Sequence, residues 1–260
     1  MRNLNAAVIQ DILSWQDPKR NRDRFDHHFE ALTTAKTPPD LIVLPETFNT
    51  AFTMKPWDGA ETMDGPTVQW MRESAERTRA VITGSLILKL DDQYRNRMIW
   101  AKPNGELDYY DKRHLFRFGG EHHHYTQGNE RVVLELEGWR IALFVCYDLR
   151  FPVWSRNRQD YDIAIYVANW PYARQFAWDT LIRARAIENQ CYVLASNRIG
   201  SDPVGNDYHG GSAILDFMGQ PLVDFKDRAL GQTQALCMKK LREFRQAFPA
   251  ELDADEFELR

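Results

Sequence analysis

The sequence predicts one α/β domain built on mixed sheets. Strand-sized apolar runs alternate with segments of helical periodicity, late hairpin patterns add antiparallel strands, and no linker divides the chain. At 260 residues with 43% hydrophobic side chains, the chain has enough apolar surface for one substantial core. The reading is of a single domain spanning residues 1–260, without repeats or low-complexity tracts.

In the first half, Leu4–Gln10 reads as a buried strand and Pro18–Lys36 as a helix with proline in its first turn, where the missing N–H costs nothing. Asp40–Leu44 is a short apolar strand stopped by Pro45, and Pro66–Arg79 has helical spacing. Strands follow at Val81–Leu90, Arg97–Lys102 and Leu107–Tyr110, separated by polar turns such as Pro103-Asn104-Gly105.

In the second half, Val132–Leu136 and Trp139–Val145 form a hairpin pattern across Glu137-Gly138. A short helix is expected at Phe151–Arg158, a buried strand at Asp162–Ala168, a longer helix at Arg174–Asn189 and a strand at Cys191–Ser196. Strand patterns at Ser212–Phe217, Leu222–Phe225 and Thr233–Met238 precede a last helix, Lys239–Ala247.

Several classes are disfavoured. The net charge is −4 and the basic residues are scattered, so nothing resembles the basic stripe of a nucleic-acid binder. Apolar runs such as Ile141–Val145 are too short to span a membrane, and no charged n-region with a long apolar stretch opens the chain. Three widely spaced cysteines, Cys146, Cys191 and Cys237, argue against a disulfide framework and a CxxC zinc site; a reducing cytoplasm is the expected setting. No GxSxG, GxxxxGK[ST] or strand-linked GxGxxG is present.

Three segments carry candidate chemistry. Cys146 lies in Leu143-Phe-Val-Cys-Tyr-Asp-Leu-Arg-Phe-Pro152, at a strand-to-helix turn where helical N–H groups are expected to lower a thiol's pKa. By position alone it is equally an inert buried cysteine. Lys112, in Tyr109-Tyr-Asp-Lys-Arg-His-Leu-Phe116, can stabilise an oxyanion or be a solvated loop lysine. Glu46, in Leu44-Pro-Glu-Thr-Phe48, can be a buried base or a capping carboxylate. Each follows a predicted strand end, where α/β folds place ligand crevices. The run Glu121-His-His-His124, between Gly119-Gly120 and Gly128, suits a mobile loop over a site better than a metal centre, because adjacent histidines point apart.

Together these segments resemble the nitrilase (carbon–nitrogen hydrolase) superfamily, whose catalytic set is Glu, Lys and Cys in that chain order. The likeness continues through Ala168-Asn-Trp-Pro171, Arg183-Ala-Arg-Ala-Ile-Glu-Asn-Gln190 and Ser196-Asn-Arg198, and so covers nearly the whole chain. Within the superfamily it is similar to the bacterial omega-amidases, or 2-oxoglutaramate amidases. The cues are Tyr-Asp-Lys-Arg-His-Leu-Phe, Phe-Pro-Val-Trp-Ser-Arg-Asn, Val-Ala-Asn-Trp-Pro and the ending Phe248-Pro…Asp253-Ala-Asp-Glu-Phe257.

The resemblance implies a four-layer αββα sandwich and assembly as a homodimer or larger homo-oligomer. It also implies a metal-free, cofactor-free amidase using Cys146 as nucleophile, Lys112 and the Tyr147 backbone N–H for the oxyanion, and Glu46 as base. A second glutamate between the lysine and the cysteine maps to Glu121. The implied substrate is a 2-oxo acid with a terminal amide, so its far carboxylate needs a cation. Arg174 is the first candidate with Trp170 lining the pocket, and Arg117 is another. Arg150 is expected to brace the cysteine turn through Asp148, and Arg183 and Arg185 to serve packing or the dimer interface. Rival readings are an amidase acting on an N-carbamoyl compound or deaminated glutathione, a nitrilase, and a non-catalytic interaction protein of the same fold.

Overall fold

Alternating apolar side chains along the first strand set the layering. In the computed structural model, which describes residues 2–259, β1 (Leu4–Gln10) turns Leu4, Ala6 and Val8 to one side and Ala7 and Ile9 to the other. The first set packs into a core shared with a second sheet, and the second set packs under helices, as the two-residue period of a strand requires.

One six-stranded sheet has the order β14-β1-β2-β3-β4-β5, with β2 at Leu41–Val43, β3 at Val81–Leu90, β4 at Gln93–Ala101, β5 at Leu107–Asp111 and β14 at Leu230–Leu236. The β1–β2 and β2–β3 pairs are parallel, and the outer pairs are antiparallel. Its outer face is covered by α1 (Pro18–Thr33) and α2 (Pro66–Thr78), which bury Phe25, Phe29, Leu32, Val68 and Met71. Asp17 caps α1 by accepting from the Arg20 N–H at 3.1 Å.

The other six-stranded sheet has the order β13-β12-β9-β8-β7-β6. Its strands are β6 (Val133–Leu136), β7 (Trp139–Val145), β8 (Ile163–Ala168), β9 (Tyr192–Asn197), β12 (Ala213–Leu215) and β13 (Pro221–Asp224). The predicted hairpin across Glu137-Gly138 is the antiparallel β6–β7 pair, and β7, β8 and β9 run parallel. Trp178, Ile182 and Ala186 of α4 (Gln175–Asn189) join the core beside this sheet, and α5 (Met238–Ala247) adds Met238 and Leu241. Two mixed sheets facing each other with helices outside make the αββα sandwich.

Two expectations need correction. The helix expected at Phe151–Arg158 is only α3, Pro152–Ser155, preceded by a five-residue 3-10 turn at Cys146–Arg150. Pro152 starts it, and Asn157 ends it by bonding the Tyr161 and Asn189 carbonyls through its side chain. A two-stranded hairpin of β10 (Ile199–Ser201) and β11 (Asp207–His209) also stands apart from both sheets, where the sequence pattern shows no strand. Its strands are three residues long and polar, too short to show a period.

Candidate active site

Glu46, Lys112 and Cys146 follow β2, β5 and β7, so two come from one sheet and the third from the sheet facing it. All three line a cavity of about 300 Å³ at the strand carboxyl ends, the small end of the roughly 300–1,000 Å³ range of ligand clefts.

The Glu46 loop is held tightly against β3. Thr47 follows at φ 39°, a left-handed conformation uncommon for a threonine, and its N–H donates to Ser85 Oγ at 2.9 Å. A Cβ at Gly84 would lie 2.8 Å from Leu44 Cβ, so only glycine lets this loop approach. Asn96 Nδ2 donates to Glu46 Oε1 at 2.8 Å, and the Asn169 backbone N–H, at the end of β8, donates to Oε2 at 2.8 Å. The carboxylate is thus buried and aimed from both sheets.

Lys112 Nζ is equally buried and lies 3.0 Å from Glu46 Oε1 and 3.1 Å from both oxygens of Glu121. Burial alone would lower its pKa, but the charges of Glu121 and Glu46 outweigh it and hold the ammonium well above its ordinary range. Glu121 is fully buried; its own pKa is pushed up by desolvation against the opposing pull of Lys112. The Phe116 N–H anchors it at 2.5 Å. Gly128 lets the returning chain donate to the Lys112 carbonyl at 2.9 Å, because a Cβ there would sit 2.3 Å from the Asp111 oxygen.

Cys146 adopts φ 46°, a strained left-handed conformation for a residue with a Cβ. Its thiol shares the cavity wall with the Glu46 carboxylate. The expected lowering of its pKa is reversed. Burial and the Glu46 charge push it well up, with Lys112 only partly compensating. The reason is geometric: a five-residue 3-10 turn has little dipole to offer, and two carboxylates outnumber the single ammonium. The resting group is a thiol in the same cavity as the Glu46 carboxylate. The Tyr147 N–H belongs to the first turn of that 3-10 segment, where backbone donors lack intrahelical acceptors.

The remaining predicted residues divide. Trp170 is buried in the cavity wall, its indole N–H bonded to the Arg174 carbonyl at 2.8 Å. Arg174 lines the cavity, its guanidinium 5.2 Å from the Phe116 ring centroid. Arg117 does not line it; its side chain lies exposed on a 3-10 turn that carries Phe116 and Gly119 into the wall instead. Of the segment from Arg117 to His124 only Phe118 and Gly119 wall the cavity, and the segment is pinned by Glu121 and by the Tyr125 hydroxyl donating to Thr53 O at 2.6 Å. His122 and His123 lie outside the lining, their rings tilted with centroids 3.9 Å apart. Among the described residues no group of three or more metal-ligating side chains converges.

Arg150 does not brace the cysteine turn. It is exposed toward the cavity, its guanidinium 5.0 Å from the Trp170 ring, while Asp148 bonds Tyr110, His114 and Val145. Arg185 does the bracing from α4, donating to Leu149 O at 2.6 Å, and Arg183 bonds Gly219 O. Sequence reasoning missed the β10–β11 hairpin, which supplies Asp202 and Tyr208 to the wall, and the roles of Asn96 and Asn169. Asn169 lies inside the motif Ala168-Asn-Trp-Pro171 but was given no role; Asn96 sits inside a strand and carries no local signal.

Comparison with known proteins agrees with this geometry. The family profile described as carbon-nitrogen hydrolase matches residues 5–246. Omega-amidase YafV of Yersinia enterocolitica is 46% identical over 258 residues, covering 99% of each chain. The 2-oxoglutaramate amidase of Bacillus subtilis strain 168 is 33% identical over 223 residues, 84% of this chain and 85% of that one. The crystal structure of XC1258 from Xanthomonas campestris, a CN-hydrolase superfamily protein with an arsenic adduct in its active site, is 48% identical. It superposes with a TM-score of 0.97 over the whole of both chains. A family match across nearly the full length, on a sandwich that gathers glutamate, lysine and cysteine into one cavity, leaves one conclusion: the chain belongs to the carbon-nitrogen hydrolase family.

Proposed function

We propose that this protein is an omega-amidase that hydrolyses the terminal amide of a 2-oxo dicarboxylic acid monoamide, such as 2-oxoglutaramate or 2-oxosuccinamate, to the acid and ammonia. The carrying observation is the cavity itself. Cys146, Glu46 and Lys112 line it together with Arg150 and Arg174. Among the described residues neither arginine has a carboxylate partner, and each lies over an aromatic ring. Asp202 in the same wall spends its oxygens on Val204, Asn206 and Tyr208. Unneutralised cations in an aromatic cleft suit a small anionic substrate whose far end is a carboxylate.

In this reading Glu46 takes the proton from the thiol that shares its cavity, and the sulfur attacks the amide carbon. Lys112 and the Tyr147 N–H meet the developing oxyanion, while Glu121 holds the ammonium in place through two 3.1 Å contacts. Collapse expels ammonia with a proton from Glu46 and leaves a thioester. Water activated by Glu46 then attacks the thioester and releases the acid and the thiol. Every step is a proton or acyl transfer.

The reading takes residues 1–260 as one domain acting in the cytoplasm, with homodimerisation supported by exposed Val153 on α3 and Phe176 and Ile187 on α4. No helix among the described residues is long and apolar enough to cross a membrane.

The test is ammonia release from 2-oxoglutaramate, an N-carbamoyl amino acid and a simple nitrile, with Cys146→Ala as control. Preference for the oxo-amide, lost in the mutant, is expected. Equal or greater turnover of either rival substrate refutes the substrate assignment, and an active Cys146→Ala enzyme refutes the mechanism.

A further inference from the structure

Asp148 is fully buried and stands two residues beyond the nucleophile. One oxygen accepts from the Val145 N–H at 2.9 Å and the Tyr110 hydroxyl at 2.7 Å. The other accepts from the His114 backbone N–H at 2.9 Å and the His114 Nδ1 at 2.8 Å. Both oxygens are therefore fully engaged.

The placement of these donors is the informative part. Tyr110 and His114 are the residues two before and two after Lys112, while Val145 immediately precedes Cys146. One carboxylate therefore brackets the lysine on its strand and the cysteine on the facing sheet. Lys112's own ion pairs reach only Glu46 and Glu121, which hang from the first sheet and the loop after it. Through Glu46 they reach the second sheet only at Asn169, after β8, whereas Asp148 ties the residues flanking Lys112 directly to the residue before Cys146. Around the bracket, Trp154 Nε1 donates to the Tyr110 hydroxyl at 3.0 Å, and the His114 ring stacks on Phe151 at 3.8 Å. Burial and the Asp148 charge push the Tyr110 phenol well up, so it remains a donor.

We propose that Asp148, with Tyr110 and His114, is a positioning set that holds the oxyanion cation Lys112 in register with the Cys146 turn. Its members act through the lysine and the cysteine, since Asp148, Tyr110 and His114 lie outside the cavity wall. The inference rests on the Glu46–Lys112–Cys146 reading of the reaction. It predicts a particular pattern of failure: loosening the lysine side of the bracket weakens oxyanion stabilisation without weakening substrate binding or the access of reagents to the sulfur.

The test compares His114→Ala, His114→Asn and Tyr110→Phe with the wild type, using turnover of 2-oxoglutaramate and the rate of Cys146 alkylation by iodoacetamide, followed on the modified peptide. Alkylation displaces iodide and builds no oxyanion. His114→Ala is expected to lower kcat about tenfold or more, the weight of one hydrogen bond to a charged acceptor. KM and the alkylation rate should stay within about twofold of the wild type. His114→Asn keeps a side-chain N–H near the Nδ1 position and should recover kcat to within about threefold. Tyr110→Phe deletes one oxygen and should show the same kcat-selective loss, so it carries the test if His114→Ala does not fold.

A kcat within about threefold of the wild type in both His114→Ala and Tyr110→Phe overturns the positioning role. So does a fall in which kcat, KM and alkylation move together, or an asparagine that restores nothing. The underlying reading fails separately, if Cys146→Ala retains turnover or the wild type has none.

Discussion

Removing Lys112 should damage this enzyme in two separable ways. In Lys112→Ala the oxyanion loses one donor, which costs about 3 kcal/mol of transition-state stabilisation and lowers kcat roughly 10²–10³-fold. The same change strands Glu46 and Glu121, both essentially unexposed and both within 3.1 Å of the lost ammonium. Breaking a buried ion pair from one side costs about 3–5 kcal/mol of stability, because the partner charge is left uncompensated. Adding Glu121→Gln removes one stranded charge, so the double mutant should regain about 1–3 kcal/mol of that stability and none of the turnover. Urea denaturation reads the first quantity and steady-state ammonia release the second. A double mutant no more stable than Lys112→Ala, or a single mutant within tenfold of wild-type kcat, refutes the account of Lys112 as an oxyanion donor held by two carboxylates.

Arg174→Ala and Arg150→Ala should each raise KM for 2-oxoglutaramate about tenfold or more while leaving KM for an uncharged amide within about twofold, since a charge-assisted contact to the far carboxylate is lost. Equal losses on both substrates would show the arginines to be structural. Glu46→Gln should reduce turnover about 10²–10⁴-fold, the usual weight of a general base, with the fold intact by circular dichroism; retained turnover removes Glu46 as the base. Stability should also fall in acid. Burial opposes ionisation of Asp162, but hydrogen bonds from Arg140 and the charges of Arg140 and Arg245 hold its pKa below the ordinary value of 3.8. A depressed folded pKa contributes stability that is complete above the unfolded value and lost as pH drops through the folded one. The urea midpoint should therefore decline below about pH 4. Asp162→Asn should begin lower and decline less, and parallel declines would exclude Asp162 as the source.

Much of the molecule is legible before any coordinates. Leu4–Gln10 and Val81–Leu90 have the bounds their apolar runs predict, and Trp139–Val145 pairs across Glu137-Gly138 as the turn residues require, because strand and turn signals are local. The order and flanks of Glu46, Lys112 and Cys146 pointed to one chemistry through their family resemblance, while strand-end position alone left each of them open. Boundaries set by side-chain capture were less legible. Phe151–Arg158 shortens to Pro152–Ser155 because Asn157 reaches residues four and thirty-two positions away.

What only the tertiary structure decided is the electrostatics of the site and the direction of its cations. A strand followed by a turn suggested an acidified thiol, yet the pKa of Cys146 depends on how much water the two sheets exclude and on which charges face it from the other sheet. Arg150 and Arg117 sit in comparable loops, but one reaches the cavity over Trp170 and the other leaves it, through packing of residues distant in sequence. Asp148 and Arg150 are two residues apart and looked like natural partners. The carboxylate instead points back across the sheet interface to Tyr110 and His114, because a buried acceptor binds the nearest donors in space. Order and flanks were enough to name the candidate groups that the fold gathers; their protonation and spacing depend on contacts between sheets that no local pattern encodes.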